Sequence, residues 1–138
     1  MIRFSRSEDY AFILIHSLAN SYKKRLLPLS EVAKKHHISL LFLRNLASQL
    51  KKAGVIDAVE GKRGGYFLTK DPKNVKIGHI LHVFSPHPFL PCCPIGEKTG
   101  TCEKTAFCET GKIWRKLNGE FLEKIAAMSV EDFMQQKR

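Results

Sequence analysis

Two short helical stretches joined by a tight turn, a glycine-rich basic hairpin after them and a long apolar-striped helix near the end predict a mainly α, winged helix-turn-helix fold. The wing is two-stranded, and the long C-terminal helix follows a cysteine-bearing loop. With 138 residues, the chain has room for one domain and an appended element. The first helix is expected over about residues 9–21, where Ala11, Leu14, Ile15 and Leu18 follow the i, i+3, i+4, i+7 stripe. A loop with Lys23, Lys24, Arg25 and Pro28 leads to a second helix over about 29–36, with Leu29, Val32 and Ala33 inward. His36-His37-Ile38 makes the turn. Ser39 is a good N-cap for a third helix to about Ala53, stopped by Gly54. Its buried stripe is Leu43, Leu46, Ala47 and Leu50.

The pattern then changes period. Val55 to Val59 and Tyr66 to Thr69 read as strands around Gly61-Lys62-Arg63-Gly64-Gly65, a hairpin whose tip carries two positive charges. Ile77, Ile80, Leu81 and Phe84 give a fourth short helix. Pro86, Pro88 and Pro91 then forbid regular helix, and the loop persists through the cysteines to about Cys108. A loop of that length in a small domain is usually functional or held by something. A last long helix over about 109–128 carries Ile113, Trp114, Leu117, Phe121, Ile125 and Met128, and Ser129 caps a final turn. The expected organisation is a DNA-binding head over residues 1–84, a cysteine loop over 85–108, and the long helix with its C-terminal turn over 109–138.

Composition narrows the function classes. The net charge is +10, and 43% of residues are hydrophobic, enough for a core and too many for a disordered basic tail. No apolar run approaches the roughly 20 residues of a membrane-spanning helix. Met1 to Arg6 lacks the apolar stretch of a secretory signal, so a cytoplasmic protein with no membrane partner is expected. Residues 1–75 hold 14 Lys+Arg against 6 Asp+Glu, a net of +8, whereas residues 76–138 hold 9 against 7. A lysine-rich solvated face would give the same count, but a field this lopsided raises the case for nucleic acid.

A helix that enters the major groove needs an apolar back and a front that reaches base edges. On the third helix that front is read as Ser39, Leu40, Phe42, Arg44, Asn45, Ser48 and Gln49. Arg44 can pair bidentately with guanine, and Asn45 or Gln49 with adenine. Lys62 and Arg63 at the hairpin tip suit a narrow minor groove.

Cys92, Cys93, Cys102 and Cys108 all fall within 17 residues. In a reducing compartment such a cluster points to a metal or redox site rather than a disulfide framework. The spacing from Cys93 to Cys102 to Cys108 is not that of a zinc knuckle. Thiolates spread along a loop suit the wider iron–sulfur cluster. Cys92 and Cys93 are neighbours whose side chains tend to point apart, so one of them, with Cys93 favoured, is the principal ligand. No CxxC pair and no nucleotide-binding glycine loop occurs, which argues against an enzyme.

These segments together resemble the IscR/NsrR-like family of bacterial regulators (the Rrf-two type) over nearly the whole length. The carrying stretches are Phe4-Ser5 through Ala11, Leu29 to Ala33, Ile38-Ser39 through Leu43, and Leu50 to Val55. The wing Val59 to Tyr66, then Asp71-Pro72, Ile77 to Ile80, the spaced cysteines and Ser129 to Asp132 complete it. The resemblance implies a homodimeric repressor or activator, paired through the long C-terminal helix, that binds a double-stranded operator. It also implies an iron–sulfur cluster, of two-iron or four-iron type, that senses iron, redox state or nitric oxide. By position, Cys93, Cys102 and Cys108 become its thiolate ligands.

The fourth ligand departs from one branch of the family. IscR-like members carry a histidine three residues after the last cysteine, where this chain has Gly111. NsrR-like members use a first-helix carboxylate from the other subunit, and Asp9 holds that position. Asp9 has a rival role as a charge on the helix N-terminus, and Cys92 is the alternative ligand. Glu60 stands where many relatives have arginine, and Arg44 where IscR-like members have an acid, so the operator is not transferable. A cluster-free thiol/disulfide switch on the same fold is the alternative.

Overall fold

Helix α1 (Arg6–Asn20) starts where Ser5 and Glu8 close a capping box, each side chain satisfying a backbone N–H at the helix end. In this computed structural model, which describes residues 5–84 and 107–136, Ala11, Leu14, Ile15 and Leu18 of α1 are buried. Helix α2 (Leu29–His36) ends at His37, whose left-handed backbone (φ 54°) reverses the chain. Helix α3 (Leu40–Lys52) begins at once, because the Ser39 side chain accepts the Phe42 N–H at 3.4 Å. Leu43, Leu46, Ala47 and Leu50 turn to the core, packing α3 against α1 and α2.

Strands β1 (Ile56–Val59) and β2 (Gly65–Leu68) pair antiparallel, with Ile56 opposite Leu68 and Val59 opposite Gly65. A third piece joins this sheet. The Leu27 N–H donates to Tyr66 O at 3.0 Å and the Tyr66 N–H to Leu27 O at 2.9 Å, inside a segment that reads only as loop in the sequence. A Cβ on Gly65 would lie 2.8 Å from the Leu27 nitrogen, so this close approach requires glycine.

A short 3₁₀ turn at Pro72–Asn74, capped by Asp71, leads to α4 (Ile77–Phe84). Helices α5 (Glu109–Ala127) and α6 (Val130–Gln135) follow. Two backbone bonds stitch the α5–α6 junction to the start of α4: Ile77 N–H to Met128 O at 3.0 Å and Val130 N–H to Val75 O at 2.8 Å. Here α4 and α5 nearly touch, since a Cβ on Gly78 would come within 2.8 Å of Ala126 Cα.

Helix α5 splits its apolar stripe. Phe121, Ile125 and Met128 pack on the core, while Ile113 (57% exposed), Trp114 (47%) and Leu117 (47%) face outward. Its inward face buries Asn118, whose amide oxygen and nitrogen have no hydrogen-bond partner among the described residues. No helix among these residues is long and apolar enough to cross a membrane.

Candidate nucleic-acid interface and cysteine site

Successive residues of a helix are rotated by about 100°, so positions 41, 44, 45 and 48 share one side of α3. All four, Leu41, Arg44, Asn45 and Ser48, are exposed, and Gln49 flanks them. Ser39 is exposed at the helix start, with its hydroxyl oxygen engaged as the cap. Leu40 and Phe42 lie off that row: both are half-buried against the core, and Phe42 also lines the cleft that Leu41 and Asn45 border. Phe42 packs edge-on to Tyr10, with ring centroids 5.5 Å apart. The apolar member of the outward row is therefore Leu41, 68% exposed, a residue passed over when the front is chosen by polarity. Its spacing from Arg44, Asn45 and Ser48 is the signal that finds it.

The starts of α1 and α3 border an open cleft of about 420 Å³, whose walls include Arg6, Tyr10, His37, Leu41 and Asn45. The sequence reading did not single out Arg6 or Tyr10 for this surface. Lys62 and Arg63 are exposed at the wing tip. The chain folds tightly there, since a Cβ on Gly64 would sit 2.0 Å from Val59 O. Among the described residues no ion pair engages Arg44, Lys62 or Arg63. Arg25 is committed instead: its Nη1 donates to Glu31 Oε2 at 2.8 Å and Nη2 to the other oxygen. That two-point bond holds the Glu31 carboxyl below the usual range and raises the Arg25 guanidinium. The Asp57 carboxyl is likewise lowered, first by the Ala58 N–H and then by Lys51 at 3.4 Å.

Of the four cysteines, Cys108 is within the described residues; Cys92, Cys93 and Cys102 lie outside them. Cys108 is the N-cap of α5: its Sγ accepts the Gly111 N–H at 3.3 Å and lies 3.2 Å from Thr110 Oγ1. An anionic sulfur is well placed at this end of a helix, where the backbone dipoles leave partial positive charge. Such a sulfur is the soft donor an iron–sulfur cluster takes, so Cys108 fits the group. Gly111 is buried beside that sulfur and meets it through its backbone N–H, with no side chain to serve as a ligand.

Asp9 is exposed on α1 and borders an apolar cleft of about 460 Å³ that includes Phe12, Leu81, Phe121 and Lys124. Among the described residues, no group of three metal-ligating side chains comes together.

The family described as "Rrf2: Iron-dependent Transcriptional regulator" matches residues 4–136. The HTH-type transcriptional regulator IscR of Escherichia coli O1:K1 / APEC is 27% identical over 117 residues, 85% of this chain and 70% of that protein. Among solved structures, CymR (YrzC), the global cysteine regulator of B. subtilis, superposes with a TM-score of 0.80 at 23% identity, covering 99% of this chain and 98% of that one. T. potens IscR gives a TM-score of 0.75 at 23% identity, covering 99% and 88%. With the family match running from the first helix through the last, the chain belongs to the Rrf2 family of transcriptional regulators.

Proposed function

We propose that this regulator binds operator DNA as a homodimer and that its affinity is set by an iron–sulfur cluster held on the cysteine loop. The observation that carries the DNA reading is the exposed row Leu41, Arg44, Asn45 and Ser48 on α3, with the exposed cations Lys62 and Arg63 on the wing. Helix α3 enters the major groove, where Arg44 suits guanine and Asn45 or Gln49 suits adenine. The wing tip lies over the adjoining minor groove. Two copies pair through the outward face of α5, burying Ile113, Trp114 and Leu117. The half-sites then form a pseudo-palindrome about one helical turn apart.

Cys93, Cys102 and Cys108 would hold the cluster, with Asp9 of the partner subunit or Cys92 completing the set. When bound, the cluster supplies sensitivity to iron supply, redox state or nitric oxide. Cys108 caps α5, so the ligand and the helix that pairs the two heads share one residue. A ligand shifts only the state it binds better, so the cluster must favour one spacing of the two α3 helices.

Anaerobic purification tests this directly. Brown protein with acid-labile sulfide is expected, and alanine at Cys93, Cys102 or Cys108 should bleach it. Loss of colour in Asp9→Ala but not Cys92→Ala assigns the fourth ligand. Colourless protein that still binds DNA supports the second reading, a cluster-free thiol switch, and one feature favours that reading. The Cys108 sulfur is partly exposed at a helix N-terminus, the setting in which a thiol reacts.

A further inference from the structure

An exposed leucine is ordinary by itself; the place of Leu41 is not. It is the second residue of α3, in the turn that meets base edges when such a helix docks. It stands one step before Arg44 and Asn45 on the same side and is 68% exposed. The core does not need it, because Leu40, Phe42 and Leu43 already fill the inward positions around it. It also walls the cleft that Arg6, His37 and Asn45 share, so its apolar surface faces the same space as cationic and amide groups.

We propose that Leu41 is a specificity-determining residue that reads the 5-methyl group of one thymine in each half-site. The assignment deepens the operator-binding reading above and rests on it. In the major groove each base edge presents hydrogen-bonding groups, and the thymine methyl is the one apolar feature among them. Leucine offers neither donor nor acceptor. Set against a cytosine amino group or a guanine carbonyl, it strips water from that group and returns nothing. Set against thymine, it buries methyl against methyl. One side chain thereby rewards thymine and penalises the alternatives, the two components of discrimination. Position follows as well. Leu41 and Asn45 are four residues apart, about 6 Å along the helix, and base pairs rise about 3.4 Å. The thymine therefore falls within about two base pairs of the base read by Asn45.

The test uses the full-length protein and a duplex enriched by it from a random-sequence library. Each thymine in that duplex is replaced in turn by deoxyuridine, which removes the methyl and leaves base pairing intact. At one thymine per half-site, affinity should fall about fourfold, the value of one buried methyl. Leu41→Ala, a change on an exposed position, should bind the thymine and uracil duplexes equally and keep its dependence on salt. If no uracil substitution weakens binding, or if the same loss persists in Leu41→Ala, the assignment is wrong while the DNA reading stands. If the library yields no enriched duplex, the DNA reading fails and the assignment falls with it.

Discussion

Arg44 and Arg63 are both exposed and carry the same charge, yet they sit on different elements and should fail differently. Arg44 lies in the exposed row of α3 with Leu41, Asn45 and Ser48. Its replacement by alanine should cost about 1–3 kcal/mol at one operator position and relax the preference there. Arg63, at the wing tip, answers mainly to the negative potential of a groove. Arg63→Ala should weaken all sequences about evenly and lower the salt slope by about one. Titrations of each variant at several salt concentrations separate the two outcomes. At this scale the sequence is legible where polarity and helical phase agree, as for Arg44, Asn45 and Ser48. It does not give the half-burial of Leu40 and Phe42: a step of about 100° per residue sets both against the core and Phe42 edge-on to Tyr10. The same step brings Leu41 into line.

Individual elements follow from local chemistry more directly than from tertiary context. Ser39 and Ser129 each cap a helix with their own hydroxyl, so those starts are readable from the chain alone; α1 begins at Arg6 behind its Ser5 cap, three residues ahead of the start expected from its apolar stripe. The pairing of Leu27 with Tyr66 is not, since a single bridged residue leaves no periodic trace. The α5 stripe is legible as apolar, but its division into an inner and an outer half depends on where α4 and α6 lie. Asn118 illustrates the inner half. It is 1% exposed with its amide unsatisfied among the described residues, and such a group costs about 1–3 kcal/mol. Asn118→Leu, which keeps the branched four-atom shape and removes the polar atoms, should raise the melting temperature; a lower one would mean that the amide finds a partner or that the bulkier methyl groups do not fit.

Helix α6 makes a separate prediction. The Ser129 hydroxyl and backbone N–H donate to Asp132 at 2.7 and 2.9 Å, and they hold that carboxyl below its usual range. A lowered carboxylate stabilises the fold above its unfolded value and loses that contribution as pH falls through the folded one. Asp132→Asn should therefore lower the melting temperature at neutral pH. The gap from the parent should close as pH drops below the ordinary aspartate value of 3.8. A gap independent of pH would assign the effect to packing.

For the whole molecule, charge and apolar surface are segregated. The cationic row and wing belong to the N-terminal head, whereas the outward apolar residues Ile113, Trp114 and Leu117 belong to α5. This separation is visible in the sequence as a net +8 over residues 1–75. How the cysteine loop connects the two parts is not, because thiol spacing alone admits both a cluster and a disulfide switch. Trp114→Glu should convert the protein to a monomer by sedimentation and sharply weaken operator binding, since two linked half-sites bind far better than one. A dimer that survives this change would place the pairing surface elsewhere. If a cluster on the cysteine loop sets operator binding, loaded and bare protein must differ in DNA affinity. The most direct test titrates one enriched duplex with anaerobic, cluster-loaded protein and then with the same preparation stripped of metal. The two affinities should differ by roughly 5–150-fold, the range of ordinary allosteric coupling. A single isotherm for the loaded, stripped and oxidised forms would mean that the cysteines do not control DNA binding.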